Sequence, residues 1–64
     1  MMREFLNKKV LIHFFVDGNN KYFTGIITEI TDTHISFIDK FNDPYTYRVA
    51  DIVEIKLFDE EYKK

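Results

Sequence analysis

Apolar and polar residues alternate along short segments of the chain, with turn-forming residues between the segments. From Lys9 to Val16, every even position beginning with Val10 is apolar. Successive side chains of a strand point to opposite faces, so this alternation predicts a β-strand. Leu11 and Phe15 lie on the other phase, so both faces of this strand carry apolar residues. Asp17-Gly18-Asn19-Asn20 comes next and predicts a hairpin of the Asp-Gly type at this point, because Gly and Asn tolerate the positive φ angles that tight turns require.

The next segment, residues 22–31, is rich in β-branched residues and predicts a long second strand. Its apolar phase changes midway, because Phe23 and Ile27 share one phase whereas Ile30 has the other. A strand with period 2 changes faces only through a bend or a bulge, so we expect one in this strand. Gly25 would leave room there for the close approach of a crossing backbone.

Three shorter alternating segments follow. Their apolar residues are Ile35 and Phe37, then Tyr45, Tyr47 and Val49, then Val53, Ile55 and Leu57. Residues 42–44 break the pattern and predict a loop. Met2 to Asn7 carries apolar residues at i, i+3 and i+4 spacing, which indicates a short N-terminal helix. The pattern as a whole predicts an all-β fold with five short strands in a partly open barrel.

Composition limits how so short a chain is stabilised. A chain of 64 residues forms a single domain, and at this size only about 60% of the unfolded surface is buried. The absence of Cys excludes a disulfide framework, and two isolated His residues do not suggest a metal site. Oligomerisation is the remaining means of support that natural small domains use.

The charge balance bears on the partners and on the compartment. Nine basic and eleven acidic residues give a net charge of −2. A non-specific nucleic-acid binder usually has a basic excess, so nucleic-acid binding would have to come from a local or a repeated site. No stretch approaches the roughly 20 apolar residues that span a bilayer, and the first residues do not resemble a signal peptide. We therefore expect a cytoplasmic protein without membrane association.

The residues present do not indicate catalysis. The chain has no Cys nucleophile, and no Ser or Thr lies in a recognisable catalytic motif. Asp17-Gly18 is typical of a turn rather than of a phosphate-binding loop. The carboxylates of Glu29 and Asp32 are expected to be solvated, as most carboxylates are. We expect neither an enzyme nor a bound cofactor.

Taken together, these segments resemble the Sm and Hfq-like (LSm) family of RNA-associated proteins. The matching pieces are Val10-x-Ile12-x-Phe14, Gly18, Phe23-x-Gly25-x-Ile27, Asp32-Thr33-His34-Ile35-Ser36 and Tyr45-Thr46-Tyr47-Arg48-Val49-Ala50-Asp51-Ile52. The resemblance implies a five-stranded SH3-like/Sm-like barrel with a short N-terminal helix over residues 1–58, followed by a charged tail at 59–64. Ser36 and Val49 depart from the family pattern, which has Asn and Gly at these positions.

The resemblance also implies a site for single-stranded RNA at His34, Ser36 and Arg48. The imidazole of His34 would stack on a base, as flat aromatic faces do; alternatively, His34 is an exposed turn residue. The Arg48 guanidinium would stack on a base or contact a phosphate, or else form a cross-strand ion pair. Ser36 would bond a base edge, or simply be an outward-facing strand residue.

In the resembling family, the fourth and fifth strands of neighbouring subunits pair and build a ring. The residues expected at such a homo-oligomer interface are Tyr45, Tyr47, Val49, Val53 and Ile55. An open sheet leaves edges that invite pairing, and the chain has more apolar residues than one small core can hide. The alternative is an SH3-like protein-interaction or structural module that binds no nucleic acid, which the acidic balance and the departures at Ser36 and Val49 favour.

Overall fold

The computed structural model describes residues 3–58, and these form an all-β fold, as predicted. The five strands are β1 (Lys9–Val16), β2 (Asn19–Ile30), β3 (His34–Asp39), β4 (Pro44–Arg48) and β5 (Ile52–Leu57). A 3-10 turn at Val49–Asp51 joins β4 directly to β5. The predicted tail at 59–64 lies outside the described residues.

All five strands belong to one antiparallel sheet in the order β4-β3-β2-β1-β5. The long strand β2 pairs with two strands: its first part pairs with β1, and its last part pairs with β3. Strands β4 and β5 are the two edges, and no pairing joins them within residues 3–58. The sheet is therefore open, and its closure into a barrel remains a prediction.

The predicted hairpin between β1 and β2 is confirmed. Val16 pairs with Asn19, so only Asp17 and Gly18 form the loop. Their φ angles are 52° and 80°, both in the left-handed region. Two-residue hairpin turns with positive φ at both positions match the right-handed twist of the flanking strands, and Asp-Gly suits them.

The change of phase in β2 is also explained by the structure. The register between β2 and β3 shifts between Ile27 and Glu29, which is the irregularity that the sequence predicted. Gly25 lies beside this bend, where a Cβ atom would overlap the carbonyl oxygen of Ile38. The close approach of two backbones that was inferred for Gly25 is therefore present.

The core lies on one face of the bent sheet. Six side chains from β1, β2 and β3 are buried: Val10, Ile12, Phe14, Ile27, Ile35 and Phe37. The aromatic rings pack around Phe14, whose ring stacks on that of Tyr47 at 4.4 Å between centroids. Phe37 stacks on Tyr45 at 5.6 Å. The two tyrosines of β4 thus cover the core from its edge and are themselves partly buried.

The N-terminal segment is shorter than predicted. Instead of a helix from Met2 to Asn7, the described residues show a 3-10 turn at Arg3–Phe5; Met2 itself is outside them. Asn7 has a φ of 64°, which ends the turn, and its N–H donates to the Ile27 carbonyl at 2.8 Å. Leu6 forms a parallel bridge to Ile27. Backbone groups that would form hydrogen bonds within a longer helix therefore pair with β2 instead.

Candidate functional site

The register of β3 and β4 brings the three predicted RNA-binding residues onto one face. His34 is the cross-strand partner of Arg48, and Ser36 is the partner of Thr46. Residues two apart on a strand point to the same side, so the four side chains form a compact group. Ile35 and Phe37, which alternate with them, point into the core. This group, hereafter the β3–β4 face, is defined by His34, Ser36, Thr46 and Arg48.

The turn before β3 fixes the backbone at His34. The Thr31 hydroxyl oxygen accepts hydrogen bonds from the N–H groups of His34 at 2.9 Å and of Thr33 at 3.3 Å. The Thr31 N–H donates to the His34 carbonyl at 2.8 Å. On the other side, the Val49 N–H donates to the Thr33 carbonyl at 2.9 Å. The turn is therefore tied both to itself and to the end of β4.

The side chains of the β3–β4 face bond to near neighbours. The His34 Nδ1 shares a 2.8 Å hydrogen bond with the Thr33 hydroxyl, which sets the orientation of an exposed imidazole ring. The hydroxyls of Ser36 and Thr46 are 2.9 Å apart, and either one can be the donor. Two hydroxyls retain both donor and acceptor capacity in such a pair, so they can also bond a polar group that reaches this face.

Arg48 is engaged by Asp51. The Arg48 Nε lies 3.2 Å from Asp51 Oδ2, and Nη2 lies 3.4 Å from Oδ1. This bidentate contact uses two of the five N–H donors of the guanidinium. The Arg48 side chain is 66% exposed whereas that of Asp51 is 19% exposed. The cross-strand ion pair that the sequence left open thus takes the form of a contact with the 3-10 turn, three residues further along the chain.

This arrangement suits binding. An exposed imidazole, a pair of hydroxyls and a guanidinium can stack on flat groups and bond polar ones. Among residues 3–58, no group of three or more His, Cys, Asp and Glu side chains is placed to hold a metal ion. The site lies on two neighbouring strands, and its guanidinium is already paired with Asp51.

The five predicted interface residues lie on or next to the two edge strands. Tyr45 and Tyr47 are on β4, Val49 is in the 3-10 turn, and Val53 and Ile55 are on β5. Val53 is 57% exposed, but the other four are half-buried and pack against the core. A single chain therefore already uses part of the surface that was assigned to the interface.

Thr46 and Asp51 belong to this site, although the sequence analysis did not select them. Thr46 is found once the register pairs it with Ser36. Its position two residues before Arg48 was the available signal, because such residues share a strand face. Asp51 follows Arg48 by three residues, which is a common spacing for an ion pair only where the chain turns, as it does here.

A scan against protein-family models, a search of curated proteins and a search of solved structures each found no match. Within the described residues, none of the helical segments has the length and the apolar character needed to cross a bilayer.

Proposed function

We propose that this chain is an Sm-like barrel protein that assembles into a homo-oligomer and binds single-stranded RNA through the β3–β4 face. The observation that carries the proposal is the pairing of His34 with Arg48 across β3 and β4, with Ser36 beside them. Three residues that the family resemblance selected on two consecutive strands are thereby neighbours on one face of the sheet.

Several features of the fold support an Sm-like barrel. The strand order β4-β3-β2-β1-β5 places the first and second strands centrally and leaves the fourth and fifth at the edges. A bulge in the long strand β2 bends the sheet around the core. The short 3-10 turn at Val49–Asp51 carries the chain from one edge strand to the other. Closure of such a bent sheet on itself would give the small barrel.

The edge strands support assembly. β4 and β5 each present one side that pairs with no other described strand, and such edges are templates for pairing with another chain. Val53 and Leu57 on β5 are 57% and 52% exposed, so an edge partner would cover apolar surface. In a ring, each weak face would be repeated, and RNA that contacts several copies would gain avidity.

The Arg48–Asp51 pair sets how RNA would be bound. Asp51 places a carboxylate 3.2 Å from the guanidinium, so a phosphate approaching Arg48 meets the negative charge as well. Stacking of a base on the guanidinium plane avoids that conflict, since it does not require Asp51 to leave. We therefore assign base stacking to both His34 and Arg48, and polar contacts to the hydroxyl pair of Ser36 and Thr46.

The test combines native mass with RNA affinity. Light scattering on a sizing column gives the number of subunits, and fluorescence polarisation with labelled oligo-uridine and oligo-adenosine gives affinity. His34→Ala with Arg48→Ala should abolish binding without changing the mass. Lys21→Ala is the matched control, because it also removes one positive charge from an exposed strand residue but lies in β2, away from this face. Binding should also weaken as salt rises, because the charge of a stacked guanidinium beside the RNA backbone still displaces counterions.

A protein-interaction or structural module is the second candidate. The observation that favours it is that the polar groups of the β3–β4 face already bond one another or adjacent residues of the chain, whose net charge is −2. In that case the mass measurement shows an assembly or a monomer, and neither oligonucleotide binds at low salt. Equal binding by the double variant and the wild type would also remove the β3–β4 face from the RNA hypothesis.

A further inference from the structure

A second concave surface lies away from the β3–β4 face. A cleft of about 600 Å³ opens where β1, β2 and β5 meet the loop that joins β3 to β4. A volume of this size is in the usual range of small-ligand sites. Its lining includes the aromatic residues His13, Tyr22 and Phe41 and the carboxylates of Asp39 and Glu54. None of them belongs to the proposed RNA-binding site, so an inference about this cleft stands independently of that proposal.

One wall of the cleft is a stacked pair of rings. His13 and Tyr22 are cross-strand partners on β1 and β2, and their rings stack at 4.3 Å between centroids with planes 17° apart. The His13 Nε2 shares a 2.7 Å hydrogen bond with the Asn20 side-chain oxygen, which holds the imidazole in place. Tyr22 is 70% exposed, so one face of its ring is covered by His13 while much of the rest meets solvent.

The loop after β3 supplies a third ring. Asp39 Oδ1 accepts hydrogen bonds from the N–H groups of Phe41 and Asp43, each at 2.9 Å, and thereby shapes this loop. Phe41 is 72% exposed although it is fully apolar. The Lys40 ammonium lies over its ring, 5.5 Å from the centroid. The chain's own cation therefore already occupies the face of Phe41 in a cation–π contact.

Carboxylates accompany the rings. Glu54 on β5 is the cross-strand partner of His13, so carboxylate, imidazole and phenol form one row across three strands. Asp39 lines the cleft from the loop. The positive groups are Lys40, which lies on Phe41, and Lys56, which pairs across the sheet with Leu11.

We propose that this cleft binds a quaternary or methylated ammonium group, which takes the position of Lys40 over Phe41 and packs against Tyr22. Such a group sheds water more readily than a primary ammonium, and an aromatic face attracts it through the ring quadrupole. Glu54 and Asp39 supply the opposite charge. Lys56 offsets one of these carboxylates, and displacement of Lys40 from Phe41 leaves the other for the ligand. The apolar side chain of Leu11 completes a floor that suits methyl groups rather than a hydrated ion.

The first test compares choline with 3,3-dimethylbutan-1-ol, which has the same shape without the charge. Two-dimensional ¹⁵N NMR of the full chain follows the amide signals of Tyr22, Phe41 and Glu54 during each titration. Choline should bind at least about fivefold more tightly than the alcohol, which is the ratio that a single cation–π contact supplies. Equal shifts with both compounds would overturn the proposal in favour of simple apolar binding, and no saturable shift with choline would also overturn it.

Variants locate the site. Tyr22→Leu and Phe41→Leu should each weaken choline binding by about fivefold or more, and Glu54→Gln should weaken it as well. Lys40→Gln should strengthen it, because the competing internal cation is removed. Phe15→Leu is the control, since Phe15 is 50% exposed on β1 but does not line the cleft. Unchanged affinity in both leucine variants of the cleft, measured on folded protein, would refute the assignment.

The same ammonium chemistry occurs on small molecules and on modified side chains. A parallel titration with Nε-trimethyl-lysine, set against unmodified lysine, separates these sources. Tighter binding of trimethyl-lysine than of choline would identify a methylated side chain as the occupant, and the reverse order would identify a free choline-type compound. If trimethyl-lysine bound no better than lysine, the preference for methylated ammonium would be wrong.

Discussion

Replacement of Gly25 by Ala tests the closest backbone approach in the fold. A Cβ at this position would overlap the Ile38 carbonyl oxygen and would lie 3.0 Å from the Ile38 carbonyl carbon and 3.1 Å from Asp39 Cα. All three are backbone atoms, so no side chain can rotate away. The methyl group is accommodated only if β2 and β3 separate beside the bulge that bends the sheet.

The magnitude follows from that separation. Overpacking costs about 1 to 3 kcal/mol, and weakening of two ladder hydrogen bonds adds about 1 kcal/mol for each bond. The lower backbone entropy of Ala in the unfolded chain offsets roughly 0.4 to 1 kcal/mol of this cost. We expect Gly25→Ala to lower the free energy of unfolding by about 2 to 4 kcal/mol, from a total of about 3 to 10 kcal/mol for a chain of this length.

Urea denaturation, followed by tyrosine fluorescence and far-ultraviolet circular dichroism at one protein concentration, measures this loss. Gly18→Ala is the matched control, because Gly18 has a φ of 80° but a Cβ there meets nothing within 4 Å. Gly18→Ala should lower the free energy of unfolding only by the strain of an Ala residue in the left-handed region, about 1 to 2 kcal/mol. If Gly25→Ala stayed within about 0.5 kcal/mol of the wild type, which is the range of ordinary surface substitutions, the close approach of β2 and β3 would be wrong.

Three further outcomes are expected. Phe14→Ala should lower the free energy of unfolding by about 3 to 5 kcal/mol and leave the chain largely unfolded, because Phe14 is fully buried at the centre of the aromatic cluster. A cooperative urea transition near that of the wild type would contradict this. Asp39→Ala should lower the free energy of unfolding by about 1 to 2 kcal/mol, because two loop hydrogen bonds are lost. Asp39→Asn keeps an acceptor oxygen and should lower it less. Identical urea midpoints for both variants would argue against the dependence of the loop on this oxygen. Partial burial and then the charges of Asp39 and Asp43 raise the pKa of the Tyr45 hydroxyl in the folded protein. Tyr45 therefore contributes stability below the unfolded-state pKa of about 10, and this contribution is lost as the pH rises through the pKa of the folded state. Urea midpoints measured on either side of pH ~10 should therefore fall less for Tyr45→Phe than for the wild type, and an equal fall in both proteins would show that Tyr45 is not responsible.

Parts of the candidate site could be predicted from the sequence. The group of His34, Ser36 and Arg48 was selected by resemblance, and the register of β3 and β4 placed its members together. Their partners were not found in the same way. Whether Arg48 faces a ligand, a neighbouring strand or Asp51 depends on how the chain turns at Val49–Asp51, and residue types alone do not specify that turn.

The cleft beside Tyr22 was not predicted at all. In the sequence, His13 is one polar residue among apolar neighbours, and Phe41 is one aromatic residue in a loop. They line one surface only because β1 pairs with β2 and β5 while the β3–β4 loop folds against the same region. Residues separated by tens of positions acquire a common role through pairing, and no local pattern carries that information.

Local regularities of the sequence determined the strands, the Asp17-Gly18 turn, the phase change in β2 and the need for Gly25. Each of these depends on the two-residue period of a strand or on the φ angles that one residue can adopt. Tertiary structure alone decided that the N-terminal segment is a 3-10 turn paired with β2, that Arg48 contacts Asp51, and that the edges stay open. These features arise from the register and packing of distant segments, where the gain from one long-range contact outweighs a weak local preference.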